Sequence, residues 1–462
     1  MPDAIRVLHA LHDYLPRHQA GSELYVAHLA AEQRRAGDQP AVLAAEFDAA
    51  DAHGRLRWRV HDGVPVAELV NAWRFGSFDD TYQNEAITTA AAHALDVLQP
   101  HVLHVHNLLN LTFTLPALAR ARGMAVVATL HDHTLACPSG GQRLHRRESH
   151  VCRLVDPARC ARCFGESPFF TQWRVGQLSA RAPGLTGRAA HLARRLAPGA
   201  AQRLATAASG VLPGAAVDAA AIERRLAAAR QAFAACDLVV APSAALAGEF
   251  AALGFPADRL VVSDYGFPPL ATGAAAPVRD GPLRVGFVGT VVWHKGPDLL
   301  VEAARSLPAD RVAIQIYGDL SVFPQYAGQL VRAAAGLPVC FGGRVDHGRI
   351  GEVLGGLDVL VVPSRWLENS PLVIHEAFQA GVPVIGAAIG GIVGLLAAGG
   401  GVCVPPDDAP AIAGAVRRLI DTPAELDALR ASIPAVKSIE EDAGQWRRRY
   451  AALLSRDAAA AC

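Results

Sequence analysis

The chain has 462 residues, 51% of them hydrophobic and 19% charged, and its 43 basic and 43 acidic side chains give a formal net charge of zero. That length exceeds one ordinary hydrophobic core and anticipates two α/β domains, while the neutral balance argues against a general nucleic-acid binder. The opening MPDAIRVLHALHDYLP has no basic region followed by a long apolar core, and no apolar stretch is long enough to span a bilayer; a cytoplasmic protein is expected, whose eight cysteines form no disulfide framework.

In chain order, IRVLHAL, QPAVLAA, HVLHVHN, AVVATLHD and CDLVVAPS are short apolar runs separated by helix-length, alanine-rich segments, the alternation of βα units around a parallel sheet. The rhythm resumes at LRVGFVG, VAIQIYGD, PVCFGG, LDVLVVPS and VPVIGA, after a Pro/Gly/Ala-rich stretch without apolar periodicity. Two Rossmann-like domains follow. The first spans 1–267, with a Cys-rich loop at 137–163 and an insertion of short helices at 165–235, broken at Pro183, Pro198-Gly199 and Pro213-Gly214. Residues 268–282 read as a linker, 283–440 as the second domain, and 441–462 as a C-terminal helix that packs back on the first.

In the second series, VGFVGTVVWHKGPDLLVEA is a strand, a loop carrying Lys295, and a helix opening near Pro297. Gly289 and Gly296 permit close backbone approach, and Lys295 can meet a phosphate as a point charge. The loop is neither a Walker loop nor GxGxxG, and alone it reads equally as a solvated surface lysine. Further on, LDVLVVPS is a buried strand, and RWLENSPLVIHEAFQAGVPVIG sets Glu368 on the following loop and Glu376 inside a helix. Ser370 and Pro371 suit an N-cap and first helical residue, leaving backbone N–H groups at Leu372 and Val373 for an anion. Together with the Lys295 loop at the same sheet edge, these residues are expected to form a diphosphate site.

The pieces GTVVWHKG, FGGRV, DVLVVPSRWLENSPLVIHEAFQAGVPVIG and IGGI, with AGSELYVAHLA, HVHN and TLHDHTLACP earlier, resemble the retaining, nucleotide-sugar-dependent glycosyltransferases of family 4 over most of the chain except the insertion. The Glu368 to Glu376 spacing matches that family's E-x7-E signature. The resemblance implies the GT-B fold, two facing Rossmann-like domains with parallel sheets and a deep cleft, the first binding acceptor and the second the nucleotide-sugar donor. It implies that Glu376 holds the ribose hydroxyls, that Glu368 lies by the donor sugar, and that Lys295 and the backbone at Leu372 and Val373 neutralise the diphosphate. His131 would be the donor-contacting histidine, with Asp132 orienting it or capping the next turn. Gly21 stands where the family has a glycine pair, here Ala20-Gly21, and Glu23 nearby also suits an ordinary first helical turn. Thr290 and Val291 stand where the family often has an arginine, so one phosphate cation is either absent or supplied elsewhere, with Arg344 the candidate, and Gly394 stands where many relatives carry a glutamate. No catalytic metal is expected.

Cys137, Cys152, Cys160 and Cys163 form C-x14-C-x7-C-x2-C, which fits either a structural tetrahedral zinc, with His145 or His150 as alternative ligands, or reduced or redox-active thiols. Cys236, Cys340 and Cys403 read as small buried hydrophobes. Between Pro138 and Leu204, twelve arginines (143, 146, 147, 153, 159, 162, 174, 181, 188, 194, 195 and 203) face three acids, and Phe169, Phe170 and Trp173 lie among them. This favours a peripheral anionic membrane surface or a lipid-diphosphate acceptor; otherwise the aromatics pack the insertion onto the first domain and the arginines are solvated or bind an acidic partner.

The expected function is transfer of a sugar from a nucleotide diphosphate donor to a hydroxyl of a glycan or lipid-linked acceptor, with retention, in polysaccharide or glycolipid assembly. The rivals are a nucleotide-sugar epimerase on the same fold and a catalytically idle scaffold.

Overall fold

The computed structural model describes residues 4–48, 50–145, 148, 150–181, 217–270 and 281–460. The breaks expected at Pro183, Pro198-Gly199 and Pro213-Gly214, most of the linker, and arginines 146, 147, 188, 194, 195 and 203 lie outside the described residues. The chain divides into two compact units. One comprises Met1–Pro242, Ala247–Tyr265 and Ile439–Cys462, the other Ser243–Leu246 and Gly266–Ser438.

The first unit is built on an eight-stranded sheet, in spatial order Leu260–Val262, Leu238–Ala241, Ala125–Thr129, Val102–Val105, Arg6–Leu11, Gln39–Glu46, Val64–Val70 and Leu56–His61. Its central strands are buried along nearly their whole length, because helices cover both faces of a parallel sheet and leave no solvated side. The pair Leu56–His61 and Val64–Val70 is antiparallel, so the sheet is not wholly parallel as expected. The final strand of the sheet, Leu260–Val262, was also not legible in advance. The last helix, Ile439–Ala460, belongs to this unit: Trp446 and Tyr450 are fully buried, and Tyr25 Oη donates to Asp442 Oδ2 at 2.8 Å while accepting from Trp446 Nε1 at 3.0 Å.

The second unit has six parallel strands in the order Val339–Gly343, Val312–Tyr317, Leu283–Val288, Val359–Val362, Val384–Ala387 and Gly401–Val404. Numbered along the chain this is 3-2-1-4-5-6. The chain first winds one way from Leu283–Val288, then reverses at Val359–Val362, and the loops leaving those two adjacent strands diverge to leave a crevice at their carboxyl ends. The Lys295 loop and the Glu368 loop are those two loops. Edge position also corrects the reading of two cysteines: Cys340 and Cys403 are exposed, because each sits on an outermost strand, whereas Cys236 is buried.

Candidate functional site

At the switch point of the second unit, Lys295 closes a short 3-10 turn, Trp293–Lys295, and Gly296 begins the next helix, Pro297–Ala304. Gly296 has φ +74°, and a Cβ there would stand 2.1 Å from the carbonyl oxygen of Pro363, so the lysine loop reaches the glutamate loop only with glycine at the contact. Lys295 Nζ then donates to Glu368 Oε1 at 2.7 Å. The same oxygen accepts from Ser364 Oγ and from Trp366 Nε1, each at 2.7 Å. Burial pushes the Glu368 carboxyl up, but the Lys295 charge and these three donors outweigh it and hold the group below the usual glutamate range. Glu368 is therefore a carboxylate, with only 6% of its surface exposed.

Glu376 lies inside the helix Leu372–Gln379 and is 8% exposed. His347 Nδ1 lies 3.8 Å from its Oε1, but burial draws that imidazole down and keeps it neutral, so burial alone lifts the Glu376 carboxyl to about 7. The two glutamates thus differ sharply, one charged and anchored, the other poised to titrate near neutrality.

The helix begins one residue later than expected. Pro371, with ψ 118°, is still extended and takes the N-cap position, while Ser370 Oγ is paired with His375 Nε2 at 2.9 Å instead of capping. Leu372 and Val373 open the helix, where N–H groups have no partner one turn back. Gly289 ends the first strand with φ +157°. Arg344 is exposed just past Val339–Gly343.

Sequence reading missed the residue that ties the two loops together. Arg365 donates to Asp298 Oδ1 and Oδ2, each at 2.8 Å, to the Trp293 carbonyl at 2.9 Å, and to Asp407 Oδ1 at 2.6 Å. A bidentate pair of this kind fixes orientation as well as distance. Its signal was a lone arginine directly after the strand, which no spacing rule singles out. The expected IGGI piece also has a local cause: a Cβ on Gly391 would sit 1.5 Å from the Asn369 carbonyl oxygen, and its N–H donates to the Glu368 carbonyl at 2.7 Å.

In the first unit, His131 heads a buried row of histidines. Its Nε2 lies 3.0 Å from His106 Nδ1, His106 Nε2 lies 3.0 Å from His9 Nδ1, and His9 Nε2 lies 2.7 Å from Gln33 Oε1. The Gln33 oxygen only accepts, so each imidazole in turn carries its proton on Nε2 and accepts on Nδ1, ending with Tyr265 Oη, 3.0 Å from His131 Nδ1. Burial holds all of these rings neutral, with His9 drawn down to about 4 and His131 to about 3. Both ring nitrogens of His131 therefore have protein partners, and a donor contact of the expected kind requires one to be exchanged. Asp132 does not orient His131: it accepts from the Thr134 N–H at 2.7 Å and from Asn107 Nδ2 at 2.8 Å, capping the next turn. Gly21 is the first residue of the helix Gly21–Arg35, with Ala20 at its N-cap, and Glu23 in the first turn is 3.4 Å from His12 Nε2.

Cys137, Cys152, Cys160 and Cys163 line one small cavity. Burial, and then the neighbouring cysteines, raise Cys152 to about 11, and burial with the other three raises Cys160 to about 12. The four sulfurs do not all lie within 4.8 Å of one another: among the described residues, the potential ligand atoms that gather so closely belong to His9/His104/His106 and to His12/Asp13/Glu23. The histidine trio is accounted for by hydrogen bonds, His104 pairing with Tyr450 and Thr129 at 2.7 Å each.

Among the described residues, the aromatics of the insertion turn inward. Trp173 is buried and donates to the Phe75 carbonyl at 3.2 Å, and Phe169 stacks on Trp73 at 5.9 Å, so these rings pack the helix Pro168–Arg181 onto the unit. Several of the described arginines are likewise engaged. Arg143 pairs with Glu249, and Arg159 with Glu148 at 3.1 Å. No helix among the described residues is long and apolar enough to cross a membrane.

With this geometry in place, the chain has the GT-B fold, two α/β units on largely parallel sheets, and two family models match it, each over less than half of its length. Residues 274–434 match the family described as glycosyl transferases group 1, and residues 20–169 match glycosyltransferase family 4. Among curated relatives, D-inositol 3-phosphate glycosyltransferase 1 of Catenulispora acidiphila is 36% identical over 160 residues, covering 31% of this chain and 37% of the relative. A sulfoquinovosyl transferase of Arabidopsis thaliana is 29% identical over 170 residues, 34% of this chain and 32% of that protein. The chain thus spans well under two thirds of these relatives' lengths. Sucrose-phosphate synthase from Thermosynechococcus elongatus shares the fold with a TM-score of 0.63 at 17% identity, over 98% of this chain and 100% of that one. Anabaena HepE in complex with UDP and glucose does so at 0.55 and 17%, over 99% of each.

Proposed function

We propose that the chain transfers a glycosyl group from a nucleotide diphosphate sugar to an acceptor hydroxyl, with retention of anomeric configuration, in polysaccharide or glycolipid assembly. The observation that carries this is the Lys295–Glu368 ion pair at the switch point of the second unit, eight residues before Glu376 on the adjoining helix. Cleaving a sugar–phosphate bond develops negative charge on the leaving diphosphate and positive charge at the anomeric carbon. Lys295 and the N–H groups of Leu372 and Val373 serve the first charge, the Glu368 carboxylate the second, and Glu376 the ribose hydroxyls. Glu368 Oε1 already takes three hydrogen bonds, which suits it to fixing charge more than to attacking carbon. The acceptor oxygen instead forms its bond to the anomeric carbon on the face the phosphate leaves, and its proton passes to the departing phosphate oxygen. HepE, solved with UDP-glucose, supports a donor of this class.

The test is a thermal-shift screen against UDP-, GDP-, ADP- and dTDP-sugars, on the natural chain and on Glu376→Ala. A donor present at a hundred times its Kd should stabilise the fold by about 2.7 kcal/mol. A selective shift that disappears in the variant is the expected result. A shift unchanged in the variant overturns the role of Glu376, and no shift with any donor favours the idle scaffold.

A further inference from the structure

We propose that Cys137, Cys152, Cys160 and Cys163 bind one structural zinc ion that holds the 137–165 segment together, a site separate from the sugar-transfer chemistry. The four thiols come from three pieces of chain. Cys137 follows the turn after His133, to whose carbonyl its N–H donates at 2.7 Å. Cys152 leaves a hairpin whose strands, Leu144–His145 and His150–Val151, are two residues each. Cys160 and Cys163 stand three apart on the helix Pro157–Gly165 and so share a face. A hairpin of that length has no independent stability, and a nine-residue helix beside it is marginal. Yet all four sulfur-bearing residues turn toward a single cavity.

The cavity wall carries a second observation. Arg143, 2% exposed, directs Nη1 to Glu249, but its Nη2 is buried without a hydrogen-bond partner, as is the hydroxyl of Ser139 on the same wall. Orphaned donors around four thiols fit thiolates, which accept hydrogen bonds and carry the negative charge that a guanidinium offsets. Four sulfur ligands with no oxygen donor among them select zinc over harder cations. The sulfurs ring the cavity rather than meeting within 4.8 Å of one another, so the cation draws them inward as it binds and displaces their protons.

The full chain, purified under reducing conditions without a metal-chelating tag from zinc-supplemented medium, should carry about one zinc per molecule by elemental analysis. Cys160→Ser and Cys163→Ser should lose it, while Cys403→Ser, altered at an exposed edge-strand thiol, should keep it. Because the first two variants could fail to fold, the natural chain is also stripped with chelator and reloaded with Co2+, which should give the sulfur-to-metal charge-transfer and intense d–d bands of tetrahedral thiolate coordination. A metal-free natural chain whose four thiols alkylate readily, a Co2+ spectrum without thiolate bands, or iron with acid-labile sulfide in place of zinc would each overturn the proposal.

Discussion

Glu376 is a residue whose burial acts against the stability of the empty protein. Its carboxyl is held up at about 7 by burial, against an ordinary 4.5. A raised acid favours the fold fully below the ordinary value, and that contribution is lost as pH rises through the folded value. Glu376→Gln removes the titration, so the variant should be more stable than the natural chain at pH 8, by up to about 3 kcal/mol, and nearly equal to it at pH 4.5. Urea midpoints at the two pH values would show it; equal gaps at both would contradict burial as the cause. The same variant should lose donor affinity, since a neutral amide accepts ribose hydroxyls more weakly than a carboxylate. Glu368 and Glu376 were singled out in the sequence by their spacing, and Lys295 by its loop at the same sheet edge. Arg365, Ser364 and Trp366 were not, because their work is to hold other side chains in place, and such work shows only once the partners are in space.

Among elements, the loop between Val359–Val362 and Leu372–Gln379 depends on a glycine from another part of the chain. Gly391 opens the helix Gly391–Ala397 and packs directly on the Glu368–Asn369 backbone. Gly391→Ala would drive a methyl into the Asn369 carbonyl, and the loop must move. The expected cost is about 1–3 kcal/mol of stability, with a weakened donor-induced thermal shift. Gly414→Ala is the control: its Cβ would meet open space in the middle of the helix Ala409–Asp421, and alanine there should be neutral or stabilising by about 0.5–1 kcal/mol. Equal losses in the two variants would refute the packing explanation. Strand existence was readable from apolar runs in all ten expected places. The hairpin Leu56–His61/Val64–Val70 was not, since LRWRVH is half exposed on a sheet edge and has no continuous apolar run.

The whole first unit should be acid-labile. His9, His104, His106 and His131 are neutral in the fold, with their pKa values lowered by burial. Below the ordinary value of 6.5 the unfolded chain takes up protons that the folded row refuses, so stability is level above that pH and falls as pH drops from about 6.5 toward 4. The slope should reach up to about 1.4 kcal/mol per pH unit for each histidine. Denaturant midpoints measured between pH 7.5 and 5 should fall accordingly; a flat profile would mean that the row is already charged or hydrated.

By itself the sequence determined that there are two βα series, that ten apolar runs become strands, and that a lysine and two glutamates follow two of them, because burial periodicity and loop chemistry are local properties of the chain. Only tertiary structure decided the strand order that reverses beside Leu283–Val288 and so brings Lys295 to Glu368 across 73 positions of sequence. It also spent the aromatics of Pro168–Arg181 on internal packing and linked histidines from three separate segments into one hydrogen-bonded row. Those outcomes depend on which faces have no other cover, and that is settled only when every element competes for the same core.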